Sequence, residues 1–281
     1  MKKSTGSLIE WLMPALFVLC AGWVVWHIPA FILTLIPPQS ESLLGQISEL
    51  HARKDVSGGL PGLFGGVADP IDWIALIGMP ITFYLGARTA RIADMEYQTV
   101  RPIDRIALFF GRITMILIIS MTLVMLYEVL MRYAIEAPTL WANELTLWIA
   151  GYIFLFSGLY AMQQRCHIRI FLLYQVVPRN VQRVFDTIST ALIVVFAIGL
   201  IFGSYKQVFV TKFYRWEMFG TAFDPPIPAT VQPMILIVMA LIAAQAVINL
   251  ICDWNVEPEA HGLDDMDEDE LAAIKKSVEG N

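Results

Sequence analysis

The chain has 281 residues, of which 57% are apolar and only 16% charged, with a mean hydropathy of +0.62. Soluble domains carry about a quarter charged residues, so this balance excludes an ordinary soluble domain and indicates a membrane protein. The formal net charge of -6 is concentrated in Asp264-Asp265-Met266-Asp267-Glu268-Asp269-Glu270; without that stretch the chain is close to neutral, and a nucleic-acid partner has no support.

A helix needs about 20 apolar residues to cross the hydrocarbon core. Six runs qualify, at roughly 9–36, 71–87, 106–131, 142–163, 185–205 and 230–252, so the expected fold is an all-α integral membrane protein. The first follows Met1-Lys2-Lys3 as a secretory signal would. Its apolar run is too long for a signal core and no small-x-small site closes it, so it reads as a retained anchor.

Residues 37–70 open on Pro37-Pro38 and close on Gly-rich turns, as a loop does. The second span is short, and four arginines follow it in 88–105, which suits a segment along the inner surface. Glu128 and Arg132 then close the third span at i, i+4 spacing, on one helical face. After the turn Ile135-Glu136-Ala137-Pro138-Thr139 the fourth span begins WANELTLW, so Glu144 falls in its first turn. There the helix N-terminus favours a carboxylate, with Arg132 as a candidate partner.

Beyond the fourth span come Arg165, His167 and Arg169, where they would fix its depth and meet anionic headgroups. Residues 206–229 combine Phe209, Phe213, Tyr214, Trp216 and Phe219 with Lys212 and Arg215, a mixture expected of a short helix lying flat in the outer interface. The tail after 257 reads either as one short helix from Asp269 to Val278 or as solvated chain.

Lysine and arginine set orientation. With the N-terminus cytoplasmic, eleven flanking cations from Lys2 to Arg183 fall inside and six, Arg53, Lys54, Arg132, Lys206, Lys212 and Arg215, outside; both termini are therefore expected in the cytoplasm. Trp11, Trp26, Trp73, Trp141, Trp148, Trp216 and Trp254 lie near span ends, where amphipathic rings sit among headgroups. Arg105, Arg165, Arg169 and Trp216 are the expected lipid-interface anchors.

No phosphate loop, HExxH or GxSxG is present, so no enzyme is expected. Cys20, Cys166 and Cys252 show no CxxC spacing and read as small apolar residues. A haem-bearing or quinone-bearing anchor of a respiratory complex is the competing class. Its haem would need two facing histidines, and His27 and His167 fall in opposite halves of the bilayer, with His51 and His261 in aqueous segments. The spans are otherwise Leu, Ile, Val, Met, Phe and Ala with few acids, a scaffold rather than a substrate pathway.

Arg132, then Trp141-Ala142-Asn143-Glu144, Trp148, Phe154-Leu155-Phe156-Ser157-Gly158 and Arg165-Cys166-His167-Ile168 together resemble the small permease, DctQ-like, subunit of tripartite ATP-independent periplasmic (TRAP) transporters. The resemblance covers roughly 105–252 and includes the Pro-rich Ile227-Pro228-Ala229-Thr230-Val231-Gln232-Pro233. Two features depart from that family. Its acidic residue after His-Ile is replaced here by Ile168-Arg169-Ile170-Phe171, and two spans precede its four-helix core.

The resemblance implies four parts: an N-terminal extension (1–87), a cytoplasmic linker (88–104), the four-helix core (105–252) and an acidic cytoplasmic tail (253–281). It implies a bacterial or archaeal inner-membrane importer in which a periplasmic substrate-binding protein delivers an organic acid. A large (M) permease subunit then moves it by an elevator motion coupled to sodium, with the coupling ions there and no cofactor or metal in this chain. Arg132, Trp141, Glu144, Trp148 and His167 are then expected to stabilise the helix pair and its contact with the large subunit.

Overall fold

A computed structural model describes residues 8–35, 68–93, 96, 101, 104–165, 177–213 and 216–255. It contains six helices long and apolar enough to cross a membrane: α1 (Leu8–Leu35), α2 (Pro70–Thr89), α3 (Asp104–Tyr133), α4 (Ala142–Gln163), α5 (Arg179–Tyr205) and α6 (Ile227–Asp253). The all-α, six-span expectation is met. His167 and Arg169, most of the loop 37–70 and the acidic tail lie outside the described residues.

Helix starts follow local chemistry. Pro70 opens α2, where a missing N–H costs nothing, and the Asp72 carboxylate reaches back to accept the Asp69 N–H at 2.8 Å. Pro228 lies in the first turn of α6 for the same reason.

Successive helices run antiparallel. Here the end that holds Glu10, Arg112 and Asp253 is termed inner and the opposite one outer, after the arginine distribution. α1 packs on α2, and α3 on α4; α6 lies against α4 and carries α5 on its other side, while α1 and α2 attach through α3. The apolar centre comprises Phe109 and Ile113 of α3, Phe156 and Leu159 of α4 and Val238 of α6, with Phe17 and Phe83 packed on it from the first two helices.

Close approach depends on two glycines. A Cβ on Gly86 would stand 2.1 Å from the Phe109 ring, and one on Gly111 would stand 2.5 Å from Tyr160. Only a hydrogen fits at either place, so α2 reaches α3, and α3 reaches α4, at backbone distance.

Three expectations are corrected. The fifth span begins at Arg179 rather than 185, and it does not end before a flat helix: Lys206–Phe213 continues it as a π-helix to give one 35-residue run. Aromatic contacts at i+4 support the continuation, with Tyr205 tilted against Phe209 at 5.1 Å and Phe209 edge-on to Phe213 at 6.4 Å, while Val208 is buried. Trp148 and Trp216 are interior rather than interfacial: Trp216 is 2% exposed and packs with Ala229, Phe213 and Ile28. Finally, the bundle is not poor in buried acids, since Glu10, Asp72, Glu96, Asp104 and Glu128 are all covered.

Candidate functional site

The outer turn between α3 and α4 is held by one carboxylate. Glu128 Oε1 accepts Arg132 Nε and Nη2 at 3.1 and 2.6 Å, and Oε2 accepts the Thr139 N–H at 3.1 Å and the Thr139 hydroxyl. Thus Glu128, 2% exposed, neutralises a half-exposed arginine and pins a residue eleven positions away. In this turn Glu136 takes φ of 59°, a left-handed conformation that a non-glycine residue adopts only where its surroundings hold it. Trp141 closes the turn, its ring stacked on Tyr127 at 5.8 Å.

The expected Arg132–Glu144 pairing is not formed. Arg132 is taken by Glu128, and Glu144 accepts the Thr221 hydroxyl at 2.6 Å, tying α4 to the segment before α6. Trp148, on the same helix one turn further in, donates Nε1–H to Thr230 Oγ1 at 2.9 Å and lies 5.6 Å from the ring of Trp26. It therefore joins α4 to α6 and α1, which explains its burial. Arg132, Trp141, Glu144 and Trp148 form one belt at the outer end.

Beside this belt, an open trough of about 680 Å³ runs between α3 and α4, walled by Met121, Met125, Val129, Leu147 and Ala150 and bearing Asn143 and Thr146. Its polar side chains are few, in keeping with a face turned toward apolar surroundings.

The inner end holds the groups that sequence reasoning missed. Arg112 of α3 meets Glu96 through Nη1 at 2.9 Å and Nη2 at 3.0 Å, and its Nε faces Glu10 of α1 at 3.5 Å. Glu96 also accepts from the Ala93 N–H and the Tyr160 hydroxyl, at 2.7 and 2.6 Å. Four chain segments meet there. A second inner network runs from Asp104 to Gln245, at 2.9 Å, to Asn249, which donates to the Met162 carbonyl at 2.7 Å. The signal available beforehand was opposite charge: Glu10 and Arg112 both stand inside apolar runs, where an ionisable group requires a partner.

Arg165, expected to face headgroups, is instead bonded by Nε and Nη2 to both oxygens of Asp253, at 2.6 and 2.9 Å. Arg105 is exposed at the inner end. In the outer half of α1 and α2, Trp23 donates to Asp72 at 2.7 Å, and His27 is buried with Nδ1 2.8 Å from the Trp23 carbonyl oxygen. That nitrogen thus bears the proton. Among the described residues no three His, Cys, Asp or Glu side chains come together as a metal site.

Comparison with known proteins places these features. Residues 121–254 match the family of the tripartite ATP-independent periplasmic transporters, DctQ component. The C4-dicarboxylate TRAP transporter small permease protein DctQ of Vibrio cholerae serotype O1 (strain ATCC 39315 / El Tor Inaba N16961) is 27% identical over 115 residues. That alignment spans 40% of this chain and 48% of the relative, so the chain spans about half the length of the curated relative it matches. No solved structure matches. The matched stretch contains the whole outer belt, and the family is one of transporter components rather than enzymes. With its six apolar spans the chain is a multi-pass inner-membrane protein, and its residues 121–254 are similar to the DctQ component of the TRAP transporters.

Proposed function

We propose that this chain is the small membrane subunit of a TRAP-type importer, holding a large elevator-type permease subunit for sodium-coupled uptake of an organic acid delivered by a periplasmic binding protein. The observation that carries the reading is the coincidence of the DctQ match with the α3–α4 pair, whose outer turn is locked by Glu128. An elevator needs a static frame, and a bundle tied at both ends by buried polar networks suits that task.

In this reading both termini are cytoplasmic, the coupling ions sit in the large subunit, and this chain carries no cofactor. Residues 105–252 form the core. The extension 1–87 broadens the surface offered to the large subunit, the stretch 88–104 links it to the core, and 253–281 is a cytoplasmic tail. Arg132, Trp141, Glu144, Trp148 and His167 maintain the helix pair and its contact with the large subunit.

Copurification and uptake with Arg132→Ala and Glu144→Ala test this assignment. Weakened recovery of a many-span partner with reduced uptake supports it. Unchanged recovery and unchanged uptake in both variants would remove these residues from the contact.

A further inference from the structure

Three residues in the outer segment between α5 and α6 take a left-handed backbone: Trp216 at φ 47°, Gly220 at 83° and Asp224 at 55°. Glycine adopts that region freely. For a residue as bulky as tryptophan it is an outlier, kept only where the surroundings hold it. The segment does bond within itself: Gly220 donates its N–H to Asp224 Oδ1 at 2.6 Å, and Phe219 donates its N–H to the Pro225 carbonyl at 3.2 Å. Residues 219–222 are nevertheless exposed, and short local bonds beside water open readily. Contacts from outside the segment are therefore needed to keep it in one conformation.

The core supplies one of them, the bond from the Thr221 hydroxyl to Glu144 described above. Others come from α1, which lies outside the matched residues 121–254. The Trp26 ring stacks on Phe223, with centroids 5.6 Å apart and planes 25° from parallel, and its other contact is Trp148 of α4 at 5.6 Å. Ile28 packs with Trp216 and Ala229, where the Trp216 ring is 2% exposed. Helix α1 thus touches the segment near both of its ends.

A support is effective only if it is fastened apart from what it supports. Further along α1, Phe17 meets Phe109 of α3 edge-on at 5.6 Å and Phe83 of α2 at 5.8 Å, and Glu10 faces Arg112 at the inner end. None of these contacts involves the outer segment, so α1 is anchored on the bundle independently of it.

We propose that α1 is a brace for the outer segment 216–224, with Trp26 and Ile28 as the positioning residues that hold its left-handed conformation. The N-terminal extension thereby acts on a part of the chain that lies within the DctQ match. The proposal does not depend on the transporter reading.

The test uses the full-length chain in detergent, with amide hydrogen exchange of peptides covering 217–224 measured by mass spectrometry. Trp26→Ala is expected to speed exchange there about twofold to tenfold, in line with what an aromatic pair contributes, and Phe223→Ala to do the same. The double variant should exchange no faster than the faster single one, because both substitutions delete one contact. Trp26→Phe keeps a ring to stack and most of the protection. Phe17→Ala, which loosens α1 against Phe83 and Phe109, is expected to leave exchange in 217–224 at the wild-type rate. Trp26→Leu, which keeps apolar volume but no ring, replaces Trp26→Ala if that variant is not recovered folded.

Unchanged exchange in both Trp26→Ala and Phe223→Ala would overturn the brace. Additive effects in the double variant would do so too, since the two residues would then act separately. A rise in Phe17→Ala as large as that in Trp26→Ala would show general loosening of the bundle, and the assignment to Trp26 would fail.

Discussion

Glu128 and Arg132 make a two-donor contact on a single carboxylate oxygen, at 2.6 and 3.1 Å, while the other oxygen of Glu128 holds Thr139 across the outer turn. The pair is thus unequal. Removing the arginine leaves Glu128 with Thr139; removing the carboxylate frees both a cation and a turn. Glu128→Ala should therefore lower the melting temperature of the purified chain more than Arg132→Ala does, and the double variant should resemble Glu128→Ala. Equal losses would show that the Thr139 contacts contribute nothing.

Trp148 bridges α4 and α6 through one indole N–H to Thr230. Trp148→Phe keeps the aromatic packing against Trp26 and deletes that bond. Buried polar contacts between membrane helices contribute about 0.6 kcal/mol on average and up to about 1.7, so a loss in that range is expected from unfolding in mixed micelles. Thr230→Val in the Trp148→Phe background should then cost no more than the remaining bond from the Thr230 hydroxyl to the Pro226 carbonyl, at 2.6 Å.

Arg112 is a cation that meets both Glu10 and Glu96. Arg112→Met takes this cation from two buried carboxylates and should cost about 3–5 kcal/mol. Arg112→Met/Glu10→Gln/Glu96→Gln removes all three charges and should recover most of that loss. Equal instability of the single and triple variants would mean that packing, not charge, holds the cluster.

Gly86 faces the fully buried Phe109 ring with no room for a methyl group. Gly86→Ala should destabilise the chain by about 1–3 kcal/mol, and Gly86→Ala/Phe109→Leu should restore part of it. Absence of any effect would mean that α2 does not lie against α3 as described.

The spans were legible in the sequence because each is a long apolar run, and the outer pair because Glu128 and Arg132 stand four residues apart on one helix. The inner cluster was not, since Glu10, Glu96, Arg112 and Tyr160 come from four segments that only tertiary packing unites. Local spacing misassigned the partner of Glu144: Arg132 is near in sequence, but Glu128 satisfies it, and Thr221 arrives from 77 residues away. Proximity to a span end likewise made Trp148 and Trp216 look interfacial. The side of a helix that faces protein rather than lipid is set by its neighbours, and both faces of an apolar span read alike.

On the proposed reading the chain works as a subunit of a larger importer. Affinity purification of the tagged chain from its native membrane in mild detergent, with mass-spectrometric identification of its companions, tests it most directly. One large, many-span membrane protein is expected in near-equal amount. Recovery with a haem protein or flavoprotein in its place, accompanied by a Soret band, would contradict it and assign the chain to a respiratory complex.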